Sequence, residues 1–216
     1  MHDGTPRHWR IIAEELSHET DSKRMLELSS ELNLALDSQS LDTPAPPRKT
    51  VEQSAEKNGH RFQEIVDVAV TLMRSHYASL QMLFPERGIG GELRLLAFRG
   101  FNPEAASFWK WVRADSKSTC GLALRDGRRV VASDIANCDF MADSEDRQVY
   151  LQTGIHACQT TPLVARPGNI VGMISTHWRT PHQPSPEDFR QFDILAGHAA
   201  DLIERSREEM SGALHD

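Results

Sequence analysis

Cys158-Gln159-Thr160-Thr161-Pro162-Leu163-Val164, then Arg166-Pro167-Gly168-Asn169, then Ile170-Val171-Gly172-Met173-Ile174-Ser175-Thr176-His177 reads as two strands joined by a turn. Pro fixes one backbone angle, and Gly and Asn tolerate the left-handed region, so their cluster between two β-rich runs predicts a hairpin. Directly after it, Ser185-Pro186-Glu187-Asp188 carries the marks of a helix start: a hydroxyl cap, proline in the first turn and a carboxylate at the capping-box position. Phe189, Phe192, Leu195, Ala196, Ala199, Leu202 and Ile203 then recur with helical period.

Upstream, Ala78-Ser79-Leu80-Gln81-Met82-Leu83 and Glu92-Leu93-Arg94-Leu95-Leu96-Ala97-Phe98-Arg99 flank a Gly-bearing loop and predict an antiparallel pair. Alternation puts Ala78, Leu80 and Met82 on one face, and Leu93, Leu95 and Ala97 on one face of the second strand. Asn102-Pro103 opens a helix expected to carry Phe108, Trp109 and Trp111. Ser118-Thr119 caps another that Gly127 ends. Arg128 to Ala132 reads as a strand, Asp134 to Asp143 as a polar loop, and Ser144 as the cap of a helix ending at Gly154. A helix from about Gly59 to Met73 precedes all of these, with Phe62, Ile65, Val66, Ala69, Leu72 and Met73 on one stripe.

Before that helix lies a segment from Ser38 to Asn58 with Pro44, Pro46 and Pro47 and no periodicity, read as a semi-rigid linker. From His8 to Ser38, Trp9, Ile12, Ala13 and Leu16, then Met25, Leu28, Leu32, Ala35 and Leu36, form two helical stripes broken at Thr20-Asp21-Ser22. Helices this short are marginal alone, so the arm must dock on its own domain, on a second copy or on another protein; the last is the expectation.

Composition narrows the function. With 216 residues, 39% hydrophobic and 25% charged, the chain can bury a core and suits one domain with an appendage. A net charge of -7 and pI ≈ 5.8 disfavour non-specific nucleic-acid binding. No apolar run reaches the ~20 residues of a membrane span, and the first residues lack a secretion signal's apolar core. Three widely spaced cysteines suit reduced thiols, so the expected location is cytoplasmic.

The order of these strands, turns and helices between Tyr77 and Ile203 resembles the GAF family of small-molecule sensing domains. That resemblance implies an α+β fold: an antiparallel five- or six-stranded sheet flanked by helices, preceded here by the helical arm. The expected organisation is 1–42 arm, 43–58 Pro-rich linker, 59–208 GAF-like sensor domain and 209–216 tail. Helices 59–73 and 185–208 should pack on one face, with the pocket-forming helices on the other. Strands 78–84 and 170–178 should share one sheet.

The family's pocket lies between the sheet and the helices after the second strand. The liners it implies are Arg99, Phe101, Trp109, Cys120, Tyr150, Gln159 and Thr161, with Trp111 beside them. Trp109 and Trp111, two apart on a helix, would not both face inward. Chromophore-binding members resemble one another in a Cys-His step, and cyclic-nucleotide members in an Asn-Lys-Phe-Asp-Glu set; this sequence has neither. Cys120-Gly121 is similar to the Cys-Gly step of the free methionine-sulfoxide reductases, and a helix start there would stabilise a Cys120 thiolate. Cys138 and Cys158 do not fall on that family's other cysteine positions, so the resolving thiol is missing from the match. His156, Cys158, His177 and His182 sit in or beside the hairpin as soft ligands for a metal, set against the plainer reading as core cysteine and edge histidines.

The expected function is a non-catalytic sensory module that binds a small molecule, a protein partner or both, with no cofactor or metal. The alternative is a thiol enzyme with Cys120 as nucleophile. The chain closes at Asp216, so the expected partners are a separate output protein or sensor kinase and a second copy paired through the terminal helices, with no nucleic acid and no membrane.

Overall fold

A computed structural model describes residues 7–38, 51–166 and 168–212. The Pro-rich stretch Thr43–Pro47, the turn residue Pro167 and the last four residues lie outside them. Two helices, α1 (Trp9–His18) and α2 (Ser22–Ser38), precede a long helix α3 (Val51–Leu72). Then follow β1 (Tyr77–Phe84), β2 (Glu92–Arg99), α4 (Pro103–Phe108), β3 (Trp111–Arg113), α5 (Thr119–Asp126), β4 (Val130–Ala132), α6 (Glu145–Gln152), β5 (Ala157–Val164), β6 (Ile170–Trp178) and α7 (Pro186–Gly212). The six strands form one sheet in the order β3-β2-β1-β6-β5-β4, every neighbour antiparallel.

The quoted hairpin is β5–β6, with Cys158 opposite His177 and Thr160 opposite Ser175. β1 pairs with β6, so the strands at 78–84 and 170–178 do share the sheet. The helix start at Ser185 forms as read: its hydroxyl accepts from the Asp188 N–H, and the Asp188 carboxylate accepts from the Ser185 N–H at 2.8 Å. Ser118, Ser144 and Asn102 cap α5, α6 and α4 in the same way, each accepting from the N–H three residues on. Gly127 ends α5 in the left-handed region, which a side chain would strain.

Each face of the sheet carries its own core. On one, α3 and α7 pack on the sheet through Phe62, Ile65, Val66, Ala69, Phe192, Leu195, Ala199 and Ile203 against Ala78, Leu80 and Ile174. On the other, α5, α6 and the loops pack through Ala123, Ile135, Met141 and Tyr150 against Tyr77, Leu93, Cys158 and Met173.

Four sequence readings need correction. Leu93 and Ala97 do not share a face. Leu80 pairs with Ala97 and Gln81 with Leu95, so Leu96 is an extra residue that inverts the alternation. Leu93 therefore belongs to the α5 side and Ala97 to the α3 side. Trp111 is not on a helix: α4 stops at Phe108, Trp109 caps it, and Trp111 begins the edge strand β3. The helix expected from Gly59 begins at Val51, inside the segment read as linker.

The arm supplies the fourth correction. It docks on its own domain. Trp9, Ile12, Leu16, Leu28, Leu32 and Leu36 are buried in the core that holds α3 and α7. Arg74 donates to the Ser17 carbonyl at 2.6 Å, and Gln191 of α7 reaches the Met25 sulfur. The stripes of α3 and α7 that were expected to pair between two copies are thus used within the chain.

Candidate functional site

The candidate site lies on the α5–α6 side of the sheet. Strand parity decides which side chains reach it. Tyr77, Ser79 and Gln81 of β1, Ser175 and His177 of β6, and Cys158 and Thr160 of β5 all point that way through their mutual register. Burial is nearly complete for each of them.

Two groups of side chains cover this surface. The first is a box of rings. Phe101 follows β2, Trp109 caps α4, Tyr150 sits on α6, and His177 rises from β6. Ring centroids are 4.5 Å apart for Trp109–Tyr150, 5.2 Å for Phe101–Trp109, 5.4 Å for Phe101–His177 and 5.9 Å for Tyr150–His177. Tyr77 flanks Phe101, and its hydroxyl donates to the Thr153 carbonyl at 3.2 Å.

The second group is a chain of hydroxyls and thiols. Thr160 and Thr119 lie 2.8 Å apart, Thr160 and Ser175 2.8 Å, Cys158 and Thr119 3.0 Å, and Cys120 and Ser175 3.4 Å. Each polar atom in that chain has a partner, so it rigidifies the floor beneath α5.

The box is different. Neither nitrogen of His177 has a hydrogen-bond partner, although its residue is only 2% exposed. The Trp109 indole N–H lies near the Asp146 carboxylate but outside hydrogen-bond geometry, and further along the face the side-chain amide oxygen of Gln81 is unpaired as well. Buried polar atoms are nearly always satisfied, and each exception costs ~1–3 kcal/mol. Burial pushes the His177 imidazole down to about 3, so it is neutral and offers one donor and one acceptor. Asp146, half-buried at the start of α6, is raised by burial and drawn back by Trp109 and the Lys117 backbone.

The sequence-derived liners divide accordingly. Phe101, Trp109, Tyr150 and Cys120 stand on this face. Arg99 does not: it pairs with Asp67 of α3 at 3.1 Å on the opposite side. Gln159 and Thr161 also face away, because they alternate with Cys158 and Thr160. Gln159 bonds Thr176 at 3.1 Å, Thr161 bonds Gln159 at 2.9 Å, and Arg129 joins Thr161 to Asp193 of α7. That network ties the sheet to α7. Trp111 packs edge-on to Phe84 beneath the Arg87 guanidinium at 4.1 Å, outside the box.

Sequence reasoning missed Asp146 and Gln81 and noted His177 only as a metal ligand. The signal was parity: once Cys158 faces α5, so does His177 opposite it.

The thiol and metal readings meet the same geometry. Cys120 is buried, and burial raises its pKa despite bonds from Ser175 and Thr160. The helix start does not yield a stabilised thiolate. Cys158 is pushed up to about 12, again by burial first. Only Cys138 is partly exposed among the three. A thiol reagent at neutral pH is therefore expected to modify Cys138 first, and Cys120 and Cys158 only on unfolding; mass mapping of the labelled peptides checks this. Preferential labelling of Cys120 would contradict it. As for metal, His182 stacks near Trp178 at 4.5 Å on the α3 side, away from His177. Among the described residues no group of three His, Cys, Asp or Glu is placed to hold an ion.

A family model for the GAF domain matches residues 61–204. No curated protein matches the sequence. Among solved structures, the GAF domain of an Acinetobacter phosphoenolpyruvate-protein phosphotransferase superposes with a TM-score of 0.60 at 11% identity, covering 85% of this chain and 98% of that one. The corresponding domain from Coxiella burnetii gives 0.60 at 14%, covering 85% and 96%. Free methionine-R-sulfoxide reductase from Neisseria meningitidis, in complex with its substrate, gives 0.58 at 15%, covering 88% and 96%. At such identities the likeness is one of fold. Among the described residues no helix is long and apolar enough to cross a membrane.

Proposed function

Because this chain belongs to the GAF domain family, we propose that it is a non-catalytic sensory module whose ring box takes up a small molecule. The observation that carries this reading is the set of unpaired polar atoms in the box, above all both nitrogens of His177. A core built only for stability would place an apolar side chain there. A ligand with a polar group would satisfy the imidazole and the indole together. Buried, raised-pKa thiols favour binding over a reductase chemistry that needs an accessible thiolate.

Output would pass through the helices. Ligand entry moves α4 or α6, whose residues pack on the face opposite α3 and α7, and the sheet links the two layers. The arm on α3 and α7 is the surface through which a second protein, such as a sensor kinase, or a second copy would read the change. A shift in the arm's docking equilibrium is the expected form of that signal.

His177→Leu tests the reading. The substitution keeps the volume and removes two unpaired nitrogens. It should raise stability by ~1–3 kcal/mol. It should also flatten the acid limb. A buried neutral imidazole with its folded value near 3 contributes stability that is full above pH ~6.5 and is lost as pH falls toward 3, at up to ~1.4 kcal/mol per pH unit. The thermal upshift that a metabolite extract gives the parent should vanish in the variant. A variant less stable than the parent, still shifted by the extract, would refute the proposal.

A further inference from the structure

Where the arm docks, α2 and α7 leave an open groove of ≈ 210 Å³ between them. Met25, Leu26 and Ile194 form its apolar walls, and Leu26 is left 66% exposed. Set into those walls are two buried polar atoms without a partner. The Ser29 hydroxyl makes no hydrogen bond although its residue is only 3% exposed, and Oε1 of Glu187 makes none either. The other polar groups of the lining are engaged. Gln191 donates to the Met25 sulfur at 3.3 Å, and Arg190 pairs with the second oxygen of Glu187.

The two helices run parallel here. Gln191 meets Met25, and Leu202 and Leu36, each eleven residues further on, line one crevice. Ser29 stands one turn beyond Met25, and Glu187 one turn before Gln191. The two unpaired groups therefore mark opposite ends of the groove, their backbones ~12 Å apart along the helix axes.

Each end sets a chemical demand. The Glu187 carboxylate only accepts, so it calls for a donor, whereas the Ser29 hydroxyl both donates and accepts. Between them the apolar walls favour hydrocarbon. The charges in the lining, Glu187 and Arg190, offset each other, so no net charge is called for. On the flanking turns Glu27 pairs with Arg24 and Asp193 with Arg129, while Lys23 is exposed.

We infer that this groove is a ligand site of its own, for an elongated neutral molecule with a hydrocarbon middle and a hydroxyl at each end. One hydroxyl rests on Ser29 and the other donates to Glu187. Such a ligand touches both helices, so it clamps α2 to α7 and strengthens the docking of the arm. The inference stands independently of the ring box.

The test uses the full chain with 1,8-octanediol, 1-octanol and suberate, which share a chain of eight carbons and differ at its ends. Calorimetry should show the diol binding roughly tenfold tighter than the monoalcohol, the scale of one hydrogen bond to a charged group, and suberate not binding. Ser29→Ala removes an unpaired hydroxyl, so it should melt at or above the parent, yet bind the diol several-fold more weakly. Saturating diol should slow hydrogen exchange over 22–38 and leave α4 and α6 unchanged. Equal binding of diol and monoalcohol, suberate binding as tight as the diol, or undiminished diol affinity in Ser29→Ala overturns the inference. So does binding of none of the three, or protection confined to α4 and α6. Exchange over 22–38 that slows with protein concentration alone would give the groove to a second copy and overturn it as well. None of these outcomes bears on the ring box.

Discussion

Gly172→Ala is expected to lower the stability of this protein by about 3 kcal/mol or more, which for a chain of this size is a fall of roughly 6–12 °C in Tm. Gly172 sits in β6 opposite Met82 of β1, at the centre of the sheet. A Cβ added there would stand 2.1 Å from the Gln81 carbonyl oxygen and 3.0 Å from the Ile203 side chain of α7. The first of these is backbone and cannot rotate aside. Relief requires β1 and β6 to part, and their pairing joins the two halves of the sheet. The contact is reinforced by Arg207 of α7, which donates to the Leu83 carbonyl. Gly197→Ala serves as the control: nothing lies within 4 Å of its added Cβ, so helix propensity alone should make it neutral or stabilising by up to ~1 kcal/mol. Thermal melts of both variants check the pair. A melting point within a degree or two of the parent for Gly172→Ala would mean the close approach is not there.

The second large effect is on the arm. Leu28→Asp with Leu32→Asp places two carboxylates at positions that are 0% and 3% exposed. Each change forfeits ~2–5 kcal/mol of packing, before the cost of burying charge. Docking of α1 and α2 cannot survive both, so the arm should detach. Hydrogen exchange over 9–38 should become fast, and helicity should fall. Detachment also uncovers Phe62, Ile65 and the apolar residues of α7 that share their core. The double variant is therefore expected to gain self-association in light scattering, the reverse of what an arm docked on another protein would do. Exchange over 9–38 unchanged from the parent would contradict the docking.

That reversal shows where the sequence was legible. Apolar periodicity and caps depend on near neighbours, so α7 with Ser185 and Asp188, α5 between Ser118 and Gly127, and the β5–β6 hairpin could all be read from local residues. The stripes on α2 and α3 were equally plain, but a stripe does not say what covers it. Leu28 and Leu32 fit a partner protein and an intramolecular dock alike.

Phe101, Trp109, Tyr150 and Cys120 share the α5–α6 face because they stand in the segments after the second strand that cover it. Arg99, Gln159 and Thr161 were misplaced because strand parity sends them to the helix-pair side, and the bulge at Leu96 changed parity within β2. His177 could be read from sequence only as a possible metal ligand, because both of its nitrogens lack a partner and only the packed structure reveals that.

The central claim is that the box of Phe101, Trp109, Tyr150 and His177 receives a small molecule. The chain carries four tryptophans, and each gives one indole N–H resonance. Titrating the labelled protein with a deproteinised low-molecular-weight cell extract should move the Trp109 resonance, whose N–H is unpaired. The resonances of Trp9, under the arm, and Trp178, which donates to the Met73 carbonyl at 3.3 Å, should stay where they are. No movement of Trp109, or movement of Trp9 or Trp178 alone, would contradict the account.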